Sequence, residues 1–404
     1  MERLISVAGL LTMVGIAYAL SSSRKDIRWK TIIMGVLLQV FFGLIILKTD
    51  PGKATFEYAK LFFVSILDFT SAGSSFIFGD LTKPAKFGWI FAFMVLPTII
   101  FMSALMSVAY HLGVMQKLVE WTAKIMMKVM GTSGAESLAA AANIFAGQTE
   151  APLVIRPYVN KMTMSELMAL MTGGMATVAG GVLAAYVGFG IDAGHLLAAS
   201  VMSAPAALVC AKLMVPETEE SATAGVVSVD LPAETVNVIE AAADGAAEGL
   251  KLALNVGAML LAFIALIAMF NGILGFVGAK VGLPQLSFEW ISGYLFAPVA
   301  WIMGIPWAEC TAVGSLLAKK LVVNEFVAYI DLNTIRENLS PRSITISTYA
   351  LCGFANFSSI AIQLGGIGTL APKRKTDLAK LGMKSLIAGT LACLMTACIA
   401  GIFV

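Results

Sequence analysis

Eight stretches without a single Asp, Glu, Lys or Arg decide what this chain can become. They cover residues 4–23, 31–47, 87–116, 167–191, 193–211, 252–279, 343–372 and 385–404. Several exceed the roughly 20 residues that an α-helix needs to cross a hydrocarbon core about 30 Å thick. Only 13% of the residues are charged, about half the share usual in soluble domains. In lipid every backbone amide must find a partner within the protein, and runs of this length do so as helices. The sequence therefore predicts an all-α polytopic membrane protein.

The placement of the charges sets its orientation, because Lys and Arg gather on the cytoplasmic side. Arg24, Lys25, Arg28 and Lys30 follow the first run, and Lys373, Arg374, Lys375 and Lys380 precede the last. Lys117, Lys124, Lys128, Arg156 and Lys161 lie between the third and fourth. All fall inside if the chain crosses eight times with both termini outside. The first run is longer than a secretory core and lacks a small-residue cleavage site, so it is expected to be a retained span.

Three further stretches follow from composition. The acidic segment 216–250 is expected to be a solvated cytoplasmic connector, its second half an amphipathic helix leading into the span at 252–279. Residues 56–80 are apolar but carry Glu57, Lys60 and Asp68; they are expected to lie along the interface as a helix with an irregular tail. Cys210, Cys310, Cys352, Cys393 and Cys398 mostly sit in apolar runs, which points to packing rather than to disulfides or a metal cluster. His111 and His195 supply no zinc motif. The net charge of +2 carries no nucleic-acid signal.

Two segments, 132–160 and 306–330, break the pattern of simple spans. Each has short apolar arms around a polar tip, AANIFAGQTEAP in the first and VVNEFVAY in the second. Arms too short to cross alone predict re-entrant hairpins. The two are related: Met130–Gly131–Thr132–Ser133–Gly134–Ala135–Glu136 aligns with Met303–Gly304–Ile305–Pro306–Trp307–Ala308–Glu309. Glu150 then falls near Glu325, and the stretch from Gly174 to Gly180 matches that from Gly353 to Ser359. Three spans separate the hairpins, an odd number, so the second copy is inverted. Inverted copies with interrupted helices are the organisation of many secondary transporters, whose site lies where the copies meet.

The tips carry the polar chemistry. A carboxylate at membrane depth costs several kcal/mol unless it faces protein or water, so Glu150 and Glu325 are functional candidates. Helix capping alone would employ one acceptor at each tip, yet Gln148, Thr149 and Asn324 crowd the same places. The spans after the hairpins hold TGGMATVAGG (Thr172–Gly181) and CGFANFSSI (Cys352–Ile360). Such helices can unwind and offer carbonyls to a cation, although the glycines alone fit close helix packing equally well. Asn356 and Ser359, at i and i+3, are expected to share one helical face.

At AKKLVVNEFVAY (Ala318–Tyr329), together with GQTEAP and GFANFSSI in that family's order, the chain resembles the concentrative nucleoside transporters, of the bacterial sodium-coupled type. The resemblance covers essentially the whole chain. It implies an elevator-type homotrimer of eight transmembrane helices and two hairpins. It also divides the chain into scaffold (1–115 and 216–280) and transport domain (116–215 with the first hairpin, 281–404 with the second). It implies that Gln148, Thr149 and Glu150, with Val182 nearby, address a nucleobase. Glu325, Asn356 and Ser359, with Phe354 close by, would address the ribose hydroxyls. Gly147 would allow close backbone approach. Sodium would be held by Asn143, Ala146, Thr177 and Val178, chiefly through oxygen atoms, as a hard cation prefers.

The implied activity is import of uridine and related nucleosides across a bacterial inner membrane, driven by sodium, with both termini periplasmic. Proton coupling is the alternative. An embedded enzyme would need a nucleophile–base set or a metal motif that the sequence lacks. A channel would not need two inverted copies converging on one site.

Overall fold

The computed structural model describes residues 1–225 and 235–404, and the described chain is helical from end to end. Helices α1 (Glu2–Ala19) and α2 (Trp29–Lys48) are the first two spans. Next come α3 (Asp50–Asp68) and α4 (Thr70–Phe78). Residues 56–80 are thus helical nearly throughout, without the irregular tail expected. Thr49 caps α3 by accepting from the Gly52 amide, and the Ser71 hydroxyl bonds the Asp68 carbonyl where α3 passes into α4. The α-helix ends at Gly79, whose φ of +56° breaks it, and a 3-10 turn follows. The run 87–116 is less regular than expected: a single turn at Phe91–Met94 precedes α5 (Leu96–His111).

The end of the acidic connector is continuous with the following span. The expected amphipathic segment and the run at 252–279 merge into α11 (Val238–Lys280), capped by Asn237, whose side chain accepts from the amides of Ile239 and Glu240. Residues 226–234 of that connector lie outside the described residues. Helix α11 crosses α5 with almost nothing between the backbones. A side chain at Gly245 would fall 2.7 Å from the Ser103 carbonyl, and one at Gly249 would fall 2.8 Å from Ile100 Cα. Small residues that let helices touch are the usual adhesive where no hydrophobic effect operates between them.

The two copies occupy the rest of the chain. Copy one holds α6 (Val114–Met130), α7 (Gly134–Ala142), the turns Ala151–Val154 and Arg156–Val159, α8 (Met164–Ala176), α9 (Gly180–Gly188) and α10 (Ala193–Met214). Copy two holds α12 (Phe288–Ile302), α13 (Cys310–Val322), α14 (Glu325–Thr334), α15 (Pro341–Leu351), α16 (Phe357–Leu370) and α17 (Lys375–Phe403). The first sequence match holds in three dimensions. Gly131 and Gly304, each just beyond the end of α6 or α12, both take positive φ, +70° and +95°.

The hairpin bases are also alike. Glu136 completes a capping box with Ser133, Glu166 completes one with Thr163, and the Ser133 hydroxyl bonds Glu166 at 2.5 Å. In copy two the Ser340 amide and hydroxyl both donate to Glu309. The third match is out of register: Gly174 lies inside α8, whereas Gly353 lies beyond the end of α15. Ala176 and Leu351, each the last helical residue before an interruption, are the true equivalents.

Each copy has one interrupted span, α8–α9 and α15–α16. The run 343–372 is therefore two half-length helices, not one continuous span. The interruptions cross: the Phe354 amide donates to the Thr177 carbonyl at 3.2 Å. Gly353, with φ of +143°, permits this approach, since a side chain there would meet the Ala176 carbonyl at 2.8 Å. From behind, the Cys393 thiol donates to the Cys352 carbonyl at 3.2 Å and lies 3.7 Å from that of Ala176. All five cysteines are free and buried. Helices α8–α10 are almost wholly buried, whereas α11 is bare on nearly every face. The copies form the centre and α11 a wall.

Candidate functional site

Both hairpin tips converge on the first turn of α16. Helix α7 ends at Asn143, and the chain then turns through Gly147. Gly147 keeps the tip tight, since a side chain there would lie 2.7 Å from Glu150 Oε2 and 3.0 Å from Ala179 Cβ. From this tip the buried Gln148 donates Nε2 to Ser359 Oγ at 3.1 Å. Thr149 packs against Gly366, where a side chain would come within 3.3 Å of its methyl group.

The second tip is a two-residue link between α13 and α14. Asn324 caps α14, its Oδ1 accepting from the Val327 amide at 3.0 Å. That leaves Glu325, buried to 2% exposure, free for other work. Its Oε2 accepts from Asn356 Nδ2 at 3.1 Å and its Oε1 from the Tyr186 hydroxyl at 2.8 Å. Capping thus does not explain Glu325.

Asn356 joins the two tips. It is the N-cap of α16: its Oδ1 accepts from the Ser359 amide at 2.9 Å and from the Ser358 hydroxyl at 2.7 Å. Asn356 and Ser359 are therefore neighbours as a cap and its bonded amide, rather than as two residues on one helical face. The result is a continuous polar chain, Gln148–Ser359–Asn356–Glu325–Tyr186, linking the two copies. Val182 and Phe354 are buried nearby in sequence, on α9 and at the second interruption.

Glu150 behaves differently from Glu325. Its Oε2 accepts from the Gly147 amide of its own tip, and Glu150 and Thr149 are exposed. Of the two candidate carboxylates, Glu325 is the one buried from solvent. The longer first tip curls its carboxylate back onto its own backbone, where it remains accessible to solvent.

Beside the first tip lies a group of oxygen donors. Asn143 is fully buried; its Nδ2 donates to the Ala139 carbonyl at 2.9 Å, leaving Oδ1 with no partner. The Thr177 hydroxyl donates to the Gly173 carbonyl at 2.8 Å, so its lone pairs remain available. Both residues sit against Gly173, where a side chain would meet Asn143 Nδ2 at 2.8 Å. The Gly180 amide bonds the Phe145 carbonyl at 3.0 Å and draws Ala146 and Val178, both buried, into the same place. An orphaned buried amide oxygen costs free energy unless something electropositive meets it. The donor set is oxygen throughout and lacks a carboxylate, which suits a hard monovalent cation.

Two further residues, Tyr186 and Gln363, enter the site without having been singled out in the sequence. Tyr186 orients Glu325. Gln363, buried one turn after Ser359, donates to the Met171 carbonyl at 2.9 Å and leaves its Oε1 unpartnered. Gly174 makes room for it, since a side chain there would meet Gln363 Nε2 at 2.7 Å and Gln148 Cβ at 2.8 Å. Lys320 is buried at the end of α13. Of Tyr186 and Gln363, only the latter left a trace in the sequence, as a polar residue spaced helically from Ser359 within an apolar run. Among the described residues no group of His, Cys, Asp and Glu could hold a metal ion.

The chain is similar to known transporters along its whole length. Residues 195–401 match the family described as "Na+ dependent nucleoside transporter C-terminus", residues 8–81 its N-terminus, and residues 92–193 a "Nucleoside recognition" family. The chain is 48% identical to the uncharacterised transporter YutK of Bacillus subtilis, over the full length of both. It is 43% identical to the human sodium/nucleoside cotransporter 1, over 99% of this chain and 64% of that protein. The structure of CNTnw in an inward-facing substrate-bound state superposes with a TM-score of 0.95 at 46% identity, covering 100% of this chain and 98% of that one. A doubly substituted CNTnw in an outward-facing state gives 0.96 at 45% identity, with the same coverage. Relatives of this fold thus face either side of a membrane, and they are transporters rather than enzymes. With converging hairpins, crossed interruptions and matches along nearly its whole length, this chain belongs to the Na⁺-dependent nucleoside transporter family.

Proposed function

We propose that this protein imports nucleosides such as uridine by symport with sodium. The observation that carries the reading is the polar chain from Gln148 to Glu325, which ties both hairpin tips to one helix start. A nucleoside placed there meets two chemistries. Glu325, Asn356 and Ser359, beside Phe354, offer acceptors and donors to a vicinal diol. Gln148, Thr149 and Glu150, with Gly147 and Val182, face the edge of a base. Asn143, Ala146, Thr177 and Val178 hold the sodium ion, which supplies the positive charge that the orphaned Asn143 oxygen calls for. Cation binding at this place fixes the turn that carries Gln148, so the ion and the nucleoside favour each other's binding.

Transport then follows from movement of one part of the chain past another. Residues 116–215 and 281–404 carry the site, while residues 1–115 and 216–280, with the close α5–α11 crossing, stay fixed as a scaffold within a homotrimer. The bacterial inner membrane is the setting, with both termini periplasmic. One charge moved inward gains about 2.3 kcal/mol per 100 mV of membrane potential, and no covalent chemistry is required. Uptake of labelled uridine by proteoliposomes carrying an inward sodium gradient tests this. Accumulation that collapses without sodium supports it. Accumulation that ignores sodium but collapses with a protonophore replaces it with proton coupling.

A further inference from the structure

The hairpin tips leave one buried cation without a role. Lys320 lies in the last turn of α13, only 4% exposed. Its neighbour Lys319 is matched by two carboxylates, those of Glu289 and Asp331. Lys320 instead donates its ammonium to the Ala350 carbonyl at 2.8 Å. Ala350 belongs to the last turn of α15, just before the second interruption. The final carbonyls of a helix lack intrahelical partners and carry the negative end of its dipole, so a cation is favoured there. The Glu325 carboxylate, at the head of α14, adds its attraction.

The same place in the first copy is built from different atoms. There the first hairpin arm, α7, ends at Asn143 rather than in a lysine. Asn143 lies against the last turn of α8, where Thr177 bonds the Gly173 carbonyl just before the first interruption. Both copies therefore bring the end of a hairpin arm against the last turn of the broken span. One copy presents an unpartnered amide oxygen, and the other presents an ammonium group.

We propose that Lys320 is a tethered cation, standing in the second copy where the first copy takes up its exchangeable ion. Each cycle then moves a single sodium, because the second position is permanently filled. This rests on the sodium reading for Asn143 and Thr177, and the two can fail separately. If Asn143→Leu keeps full sodium stimulation, that reading falls; if only the Lys320 variants are silent, this inference falls alone.

Uridine uptake by proteoliposomes tests it. Lys320→Met, of similar bulk but neutral, is expected to lose at least about tenfold in rate, since it leaves buried acceptors uncompensated. Lys320→Ala is expected to lose as much and to recover severalfold in millimolar ethylammonium, which can enter the vacated space. Lys320→Met, with that space filled, is expected not to respond. Wild-type transport near the rate of Lys320→Met overturns the proposal, as does a Lys320→Ala protein that binds uridine yet gains nothing from the amine. Should both variants fail to fold, the wild type decides: its reversal potential is expected to report one charge per uridine, and two charges overturn the assignment.

Discussion

The Phe354 amide reaches the Thr177 carbonyl across 3.2 Å, so the interruption in one copy is held by the interruption in the other. Neither helix can close its gap alone. Thr177 belongs to the proposed ion site and Phe354 flanks the proposed ribose site, so on that reading one hydrogen bond joins the two sites.

The residue that makes this crossing possible is Gly353. At φ of +143° an alanine is strained, and its methyl group would press on the Ala176 carbonyl. Gly353→Ala is expected to destabilise the protein by about 1–3 kcal/mol. Thermal unfolding of the purified protein should show a lower midpoint, with uridine uptake lost. An unchanged midpoint would mean that the crossing is not under this constraint.

Glu325 depends on Tyr186 for the direction of its Oε1. Tyr186→Phe removes one hydrogen bond to a buried carboxylate, worth about 1.5–3 kcal/mol. The expected result is at least about a tenfold rise in KM for uridine. In a Glu325→Gln background the same change should add little, because the two residues act as one unit. Full additivity in uptake assays would count against the pairing.

Gly174→Ala offers a sharper check on the base end of the site. Alanine favours a helix over glycine by about 1 kcal/mol, so a purely local account forecasts a gain in stability. Here the methyl group runs into Gln363 Nε2 and Gln148 Cβ. We expect weaker uridine binding by isothermal titration, with both glutamines displaced, and no gain in unfolding temperature.

Sodium affinity should follow the Thr177 oxygen. Thr177→Ser retains the hydroxyl and is expected to leave the sodium half-saturation of uptake within about twofold. Thr177→Val removes an oxygen from a hard-cation site and should raise it about tenfold or more. Equal behaviour of the two variants would place the ion elsewhere.

Much of this architecture was legible because its physics is periodic or forbidding. A run of 20 apolar residues has few fates, and short arms around Asn324–Glu325 or Gln148–Glu150 cannot cross a bilayer. The Met–Gly–x–x–x–Ala–Glu match survived because Gly131 and Gly304 need the same unusual φ. Tyr186 stayed hidden, since its partner Glu325 lies far along the chain, and Lys320 was visible only as part of a motif, without its contact to Ala350. The exposure of Glu150 was equally hidden, for it depends on how an eight-residue turn curls. The tail of 56–80 reads as irregular because serine and glycine weaken helices, yet a serine hydroxyl can be satisfied locally, as that of Ser71 is by the Asp68 carbonyl.

Where α5 meets α11, the spacer between two long rods is little more than hydrogen atoms on Gly245 and Gly249. A joint that thin transmits force almost without give. If the surrounding bilayer thickens or thins, the pair must tilt together as a single strut, and the distance over which cargo is carried stays fixed by the protein rather than by the lipid.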